Sequence, residues 1–323
     1  MAKSSYPTIK SFLNDFLNYC EIEKGLSATT SKNYYRFLQN FFTWLKKNNL
    51  ESLKPDELAE EHIWKYRMHL SRLSNKTQKA KSGLQTSTQI RYLIALRTLL
   101  AYFHEKNISS LPTEKIKLPK EHHEKLIKFL DLEQIKKLLS SPDEKKPEGK
   151  RDKAILESLF STGLRVAELA SLDRKHLEGA RNKPDFEISI IGKGSHPRTI
   201  YFSERALAAV KNYLNERGDD GIEALFISTR KNKPDNSDSA RLSTRTIERV
   251  VQKYAKKASL SVLATPHTLR HSFATDLLNQ GVDLRTVQEF LGHRNIATTQ
   301  IYTHVTNKRL SEIHRKFHGG RDL

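Results

Sequence analysis

The sequence predicts a mainly α-helical protein of two domains. A small four-helix domain comes first, followed by a mixed α/β domain that is mostly helical with a small antiparallel sheet. Three observations predict this. The chain has 323 residues, more than one ordinary core accommodates. Apolar residues recur at helical spacing through the first hundred or so positions. The spacing then drops to strand-like alternation around "DFEISIIGKGSHPRTIYFS" before helical spacing returns.

The elements follow in order. Ile9, Phe12, Leu13, Phe16, Leu17 and Cys20 form one apolar helical stripe. Ser27 is placed to cap a second helix, whose stripe is Tyr34, Phe37, Leu38, Phe41, Trp44 and Leu45. A third helix is expected over roughly 60–73. After the polar break "SNKTQKAKSGLQTST", a fourth is expected over about 88–104, with Ile90, Leu93, Ile94 and Arg97 on one face and its flank. The segment "ISSLPTEKIKLPKEHHEK" breaks the pattern. Pro112 and Pro119 remove backbone donors and block helix continuation, so residues 109–128 read as a basic linker between domains 1–108 and 129–323.

Helices resume at "DLEQIKKLLSS", where Asp131 can cap. Gly163 is read as the stop between two further helices. A β-hairpin follows with Lys193 at its glycine-flanked tip, then a helix over about 203–216, and "ALFIS" as a short strand. Past a polar loop, "TRKNKPDNSDSARLST", helices run to the end with breaks near Gly281 and Gly292.

Composition narrows the function. A formal net charge of +19 points to a polyanionic partner, with a merely well-solvated basic surface as the plain alternative. The single cysteine, Cys20, rules out a disulfide framework and a multi-thiolate zinc site, and its stripe makes it a core residue. No signal-peptide h-region opens the chain, and no apolar run reaches membrane-spanning length, so a cytoplasmic, non-membrane protein is expected.

Several residues could carry chemistry. Arg165, in "STGLRVAEL", stands at a helix start, where its fork of donors and the helix N–H groups suit an anion; solvent is the alternative. Glu168, three residues on, could hold Arg165 or face water. Lys193 could donate a proton or simply occupy a turn. In "HTLRHSFAT", His267 and Arg270 share a helical face, one turn apart. His267 and His271 have the i, i+4 spacing of zinc helices, but the glutamate of H-E-x-x-H is missing, so no metal is expected. In "LGHRNIATTQIYTH", His293 follows a helix-ending glycine and Tyr302 follows in turn. A lone tyrosine is usually structural, and its phenol, with a pKa near about 10, needs help to attack.

Taken together, "TGLRVAEL", "GKG…R", "HTLRHSFAT", "LGH" and "IYTH" place R, K, H-x-x-R, H and Y in one order across the second half of the chain. This constellation resembles the tyrosine site-specific recombinases of the phage integrase family, most closely the Xer type, and the resemblance covers essentially the whole chain. It implies an N-terminal SAM-like, core-DNA-binding domain and a C-terminal catalytic domain.

The resemblance also implies roles. Tyr302 would attack a DNA phosphate to give a 3′-phosphotyrosyl bond and a free 5′-hydroxyl. Arg165 and Arg270 would hold the nonbridging oxygens as charge grows on them. Lys193 would protonate the leaving 5′-oxygen, His267 would assist proton transfer at the tyrosine, and His293 would bind or orient the phosphate. No cofactor is needed, since the covalent bond conserves the phosphodiester energy. The implied partners are a double-stranded recombination site, a homo- or hetero-tetramer of protomers on two sites, and an accessory DNA translocase. The stripe Leu310, Ile313 and Phe317 would dock on a neighbouring protomer. Chromosome dimer resolution is the leading task; the rivals are a mobile-element integrase of the same chemistry and a noncatalytic DNA-binding protein. The long polar loop departs from the shorter segment expected of bacterial Xer proteins.

Overall fold

The computed structural model describes residues 6–73, 83–120, 128–182, 186–191, 197–228 and 240–292. Lys193, His293 and Tyr302 lie outside the described residues, as do most of the long polar loop and the terminal stripe. The chain divides into two compact units, residues 1–124 and 125–323.

The first unit is built on four helices: α1 (Leu13–Ile22), α2 (Ala28–Lys47), α3 (Glu60–Arg72) and α4 (Thr86–Glu105). A 3₁₀ turn at Ile9–Phe12 leads into α1, so the first stripe begins in the tighter helix and continues in the α-helix. Ser27 caps α2, its hydroxyl accepting from the Thr30 N–H at 3.3 Å. The core gathers Phe16, Cys20, Phe41, Trp44, Tyr66, Leu96 and Phe103. Tyr66 is fully buried, and its hydroxyl donates to Asn40 Oδ1 at 3.1 Å, which removes the penalty of burying a phenol. On α4 the buried face runs through Leu93, Leu96, Leu100 and Phe103, and Ile94, expected on the apolar face, is 38% exposed. Ile94 shares its side of the helix with Ile90, Arg97 and Ala101, which are only half-buried, so it lies on the flank of the core face. Past α4, Ile108, Leu111, Ile116 and Leu118 pack on this same core.

The second unit begins with α5 (Leu132–Leu139). Asp131 and Gln134 cap it reciprocally: Asp131 Oδ1 accepts from the Gln134 N–H at 2.8 Å and Gln134 Oε1 from the Asp131 N–H at 3.1 Å. Helix α6 (Pro147–Thr162) starts on proline and stops at Gly163, whose φ of +60° is left-handed. Ala154, Ile155, Leu156 and Leu159 are fully buried there, making α6 the centre of the core. A short helix, α7 (Val166–Ala170), leads toward the hairpin β1 (Phe186–Ile191) and β2 (Pro197–Phe202). Their antiparallel register pairs Ile188 with Ile200 and Ile190 with Arg198. Then come α8 (Glu204–Arg217), α9 (Thr244–Lys257), α10 (Pro266–Gln280) and α11 (Leu284–Leu291).

The strand expected at "ALFIS" is reduced to single bridges. Ala224 pairs with Asp173 and Ile227 with Arg241, so no one partner runs alongside to extend a ladder. Among the described residues, no helix is long and apolar enough to cross a membrane.

Candidate active site

Three turns of chain bring the described site residues together: the start of α7, the first turns of α10 and the end of α11. Each is set by local sequence. Thr265 caps α10, its hydroxyl accepting from the Thr268 N–H at 3.2 Å while Thr268 Oγ1 accepts from the Thr265 N–H at 3.2 Å, and Pro266 opens the helix. This puts His267 in the first turn, exposed, and Arg270 one turn later, only 4% exposed. Gly292 ends α11 with φ +61°.

Arg270 reaches two chain ends at once. Its Nη1 donates to the Gly163 carbonyl at 2.7 Å and its Nη2 to the Leu291 carbonyl at 2.5 Å. Arg165 reaches the neighbouring carbonyl, its Nη2 lying 3.3 Å from the Gly292 oxygen. The two guanidiniums therefore meet on adjacent carbonyls at the C-terminus of α11, where the helix dipole carries its negative end. Gly163 is equally constrained: a Cβ there would lie 2.5 Å from the Phe273 ring.

Arg165 caps α7, and Glu168 is its partner. The Arg165 backbone N–H donates to Glu168 Oε2 at 2.8 Å and Arg165 Nη1 to Oε1 at 2.9 Å. From β2, Arg198 adds a two-pronged grip: Nη1 to Oε1 at 2.8 Å and Nη2 to Oε2 at 2.7 Å. Four donors fill the acceptor sites of one carboxylate. Burial works to raise the Glu168 pKa, but the hydrogen bonds from Arg198 and from the Arg165 N–H outweigh it and hold the carboxyl at about 2. Glu168 is a permanent anion that clamps arginines, the first of the two sequence readings. His271, half-buried, is pushed down to about 4 by burial, with His267 and Arg270 adding to the effect, so it is neutral at neutral pH.

Two arginines, Arg165 and Arg198, hold this one carboxylate, and Arg270 joins Arg165 at the end of α11, leaving an excess of positive charge suited to a phosphate. Among the described residues, no cluster of His, Cys, Asp or Glu is placed to hold a metal ion. The structure thus joins Arg165 and Arg270, with His267 on the same helix as Arg270. Lys193, His293 and Tyr302 are not described, although β1 and β2 flank the segment that carries Lys193. Arg198 escaped the sequence reading as a site residue. It stood in the quoted "GKG…R" context, but nothing in the spacing shows that it meets a carboxylate 30 residues earlier.

Comparison with known proteins gives the family. A model of the phage integrase family matches residues 128–309, and a model of the phage integrase N-terminal SAM-like domain matches residues 12–84. The chain belongs to the phage integrase family. It is 37% identical over 319 residues to the tyrosine recombinase XerC of Natranaerobius thermophilus, covering 95% of this chain and 98% of that one. It is also 37% identical over 315 residues to the tyrosine recombinase XerD of Listeria innocua, with the same coverage. The expected fold, a SAM-like helical domain before a tyrosine recombinase catalytic domain, is the one found. Among solved structures, XerH site-specific recombinase bound to its palindromic difH substrate aligns with TM-score 0.67 and 25% identity, covering 93% of this chain and 83% of that one. The Tn1549 transposon integrase, at TM-score 0.64 and 18% identity over 92% of this chain and 95% of that one, shares the fold. This protein is a tyrosine recombinase, and both XerC and XerD names occur among its relatives.

Proposed function

We propose that this recombinase cleaves and rejoins double-stranded DNA at a specific site through a 3′-phosphotyrosyl bond to Tyr302, in an Xer-like resolution of chromosome dimers. The observation that carries this reading is the meeting of Arg165 and Arg270 at the end of α11, ten residues before Tyr302. Two guanidiniums can supply paired donors to the nonbridging oxygens, and such preorganised charge is the main aid an enzyme gives phosphoryl transfer. Lys193 serves as general acid for the 5′-oxygen, His267 moves the tyrosine proton, and His293 orients the phosphate. Energy is retained in the covalent bond, so no nucleotide cofactor enters.

The first unit and the basic segment 109–128 grip the duplex, consistent with the net charge of +19. Exchange takes four protomers, identical or of two kinds, on two sites, with the terminal stripe at Leu310, Ile313 and Phe317 docking on a neighbour. An accessory translocase would bring distant sites together in the cytoplasm.

The test is covalent trapping. The protein is incubated with sheared genomic DNA of its source, denatured, and the DNA carried on protein is sequenced. A single chromosomal site recovered with the native chain and absent with Tyr302→Phe is expected. Adduct formed by the Phe variant removes Tyr302 as nucleophile. Recovery of the ends of a mobile element moves the biological role to an integrase of the same chemistry, and no adduct at all favours a noncatalytic DNA-binding protein.

A further inference from the structure

We propose that Arg198 is a positioning residue for strand cleavage: it fixes the Glu168 carboxylate that orients Arg165, and it seats Gly292 at the end of α11. This rests on the reading of Arg165 as a phosphate ligand.

Four observations carry it. Arg198 spends both terminal nitrogens on Glu168, one on each oxygen. Those same oxygens hold the Arg165 backbone and side chain, so the carboxylate cannot turn without moving Arg165. The Arg198 stem lies under Gly292: a Cβ on that glycine would come within 2.7 Å of Arg198 Cδ. Finally, Arg198 is 9% exposed, and its buried Nε has no hydrogen-bond partner. Arg198 is the second residue of β2, paired with Ile190 of β1, so it also ties the strands on either side of Lys193 to the helix of Arg165.

The geometry separates this role from direct phosphate binding. Arg198 acts through Glu168, so removing either breaks the same link, and the two losses should not add. Among the described residues, the charged groups touching Glu168 are Arg165 from the head of α7 and Arg198 from β2. Without Arg198 the buried carboxyl titrates at higher pH, and protonation loosens Arg165.

The experiment measures single-turnover adduct formation by the full chain on a nicked duplex carrying the site recovered by trapping. Arg198→Ala should slow cleavage about 10- to 100-fold with DNA affinity within about threefold of native. As pH falls, its rate should show an acid limb at higher pH than any the native rate shows. Glu168→Gln should abolish the new limb in the double variant, and the double should cleave no worse than the poorer single. Arg198→Lys, which keeps charge but loses the two-pronged grip, should fall between native and alanine, and it decides the matter if alanine does not fold. Cleavage by a folded Arg198 variant at the native rate, or a loss equal at every pH and additive with Glu168→Gln, overturns the proposal. Arg165→Ala separates the premise: its normal cleavage sinks the site reading itself, whereas an inactive Arg165→Ala beside a fully active Arg198→Ala sinks only the role of Arg198.

Discussion

Arg270 donates to the Leu291 carbonyl at 2.5 Å, joining the second turn of α10 to the last residue of α11. The same guanidinium holds the Gly163 carbonyl at the end of α6. One side chain, 4% exposed, therefore fastens three helix segments and presents charge where a phosphate is expected.

Truncating it has two separable effects. Arg270→Ala leaves two carbonyls without this donor, at a cost of about 1–3 kcal/mol each if they stay buried. Chemical denaturation should show that loss. Trapping at a temperature where the variant is folded should show DNA bound but cleavage down by about 100-fold or more. Native-rate cleavage by folded Arg270→Ala would remove it from the site.

Gly292 is a sharper probe of the same corner. Gly292→Ala adds left-handed strain at φ +61° and a clash with the Arg198 stem. Gly218 is the control, since its φ is +68° but nothing lies within 4 Å of an added Cβ. Gly292→Ala should lose about 1 kcal/mol from left-handed strain, and Gly218→Ala, whose ψ of −163° lies in a region all but reserved for glycine, about 1–3 kcal/mol. Only Gly292→Ala should also lose cleavage; equal cleavage by the two variants would show that the contact with Arg198 is idle.

Lys193 is tested by the leaving group. A thiol has a pKa near 8.5 and departs without protonation, unlike an alcohol. Lys193→Ala should cleave an ordinary site poorly, by about 100-fold or more, and recover on a site with sulfur at the 5′-bridging position. Failure of the sulfur substrate to rescue it reassigns the general acid.

Acid should weaken the second unit in two steps. His271 has a folded pKa of about 4 against 6.5 unfolded, so the unfolded chain binds more protons between these values and stability falls as pH drops from 6.5 to 4. Glu168, held at about 2 against 4.5, supplies stability that is complete above 4.5 and lost as pH falls further toward 2. Denaturation of native and His271→Gln chains across this range should show a shallower first step in the variant. Histidine-resolved NMR should find the His271 imidazole neutral at about pH 6; a charged ring there contradicts the burial seen.

Binding to the recovered site should weaken steeply with salt. A chain of net charge +19 that neutralises many phosphates loses about 10³-fold or more between low and moderate ionic strength. Flat affinity across that range would mean that the basic surface does not meet DNA.

Much of this was legible in the chain. Caps at Ser27 and Asp131, the stop at Gly163 and the break at Gly292 are decided within a few residues, so local sequence states them. His267 and Arg270 share a face because helical geometry alone puts them one turn apart. The order R, K, H-x-x-R, H, Y was legible as sequence and residue type, and it sufficed to place the chain in its family. Ile94 and "ALFIS" were not legible in the same way. A stripe cannot show which of two adjacent apolar residues meets the core, and a β-prone run cannot show whether one partner will lie alongside it. The clearest case is Glu168. Its sequence neighbour Arg165 could be named beforehand, but the two readings, clamp or solvated acid, stayed balanced. The bonds to Arg165 are local, but it took the hairpin, folding back to lay Arg198 across both oxygens, to bury and fill the carboxylate. That contact depends on strand register and on packing between distant segments, and neither is encoded in local spacing.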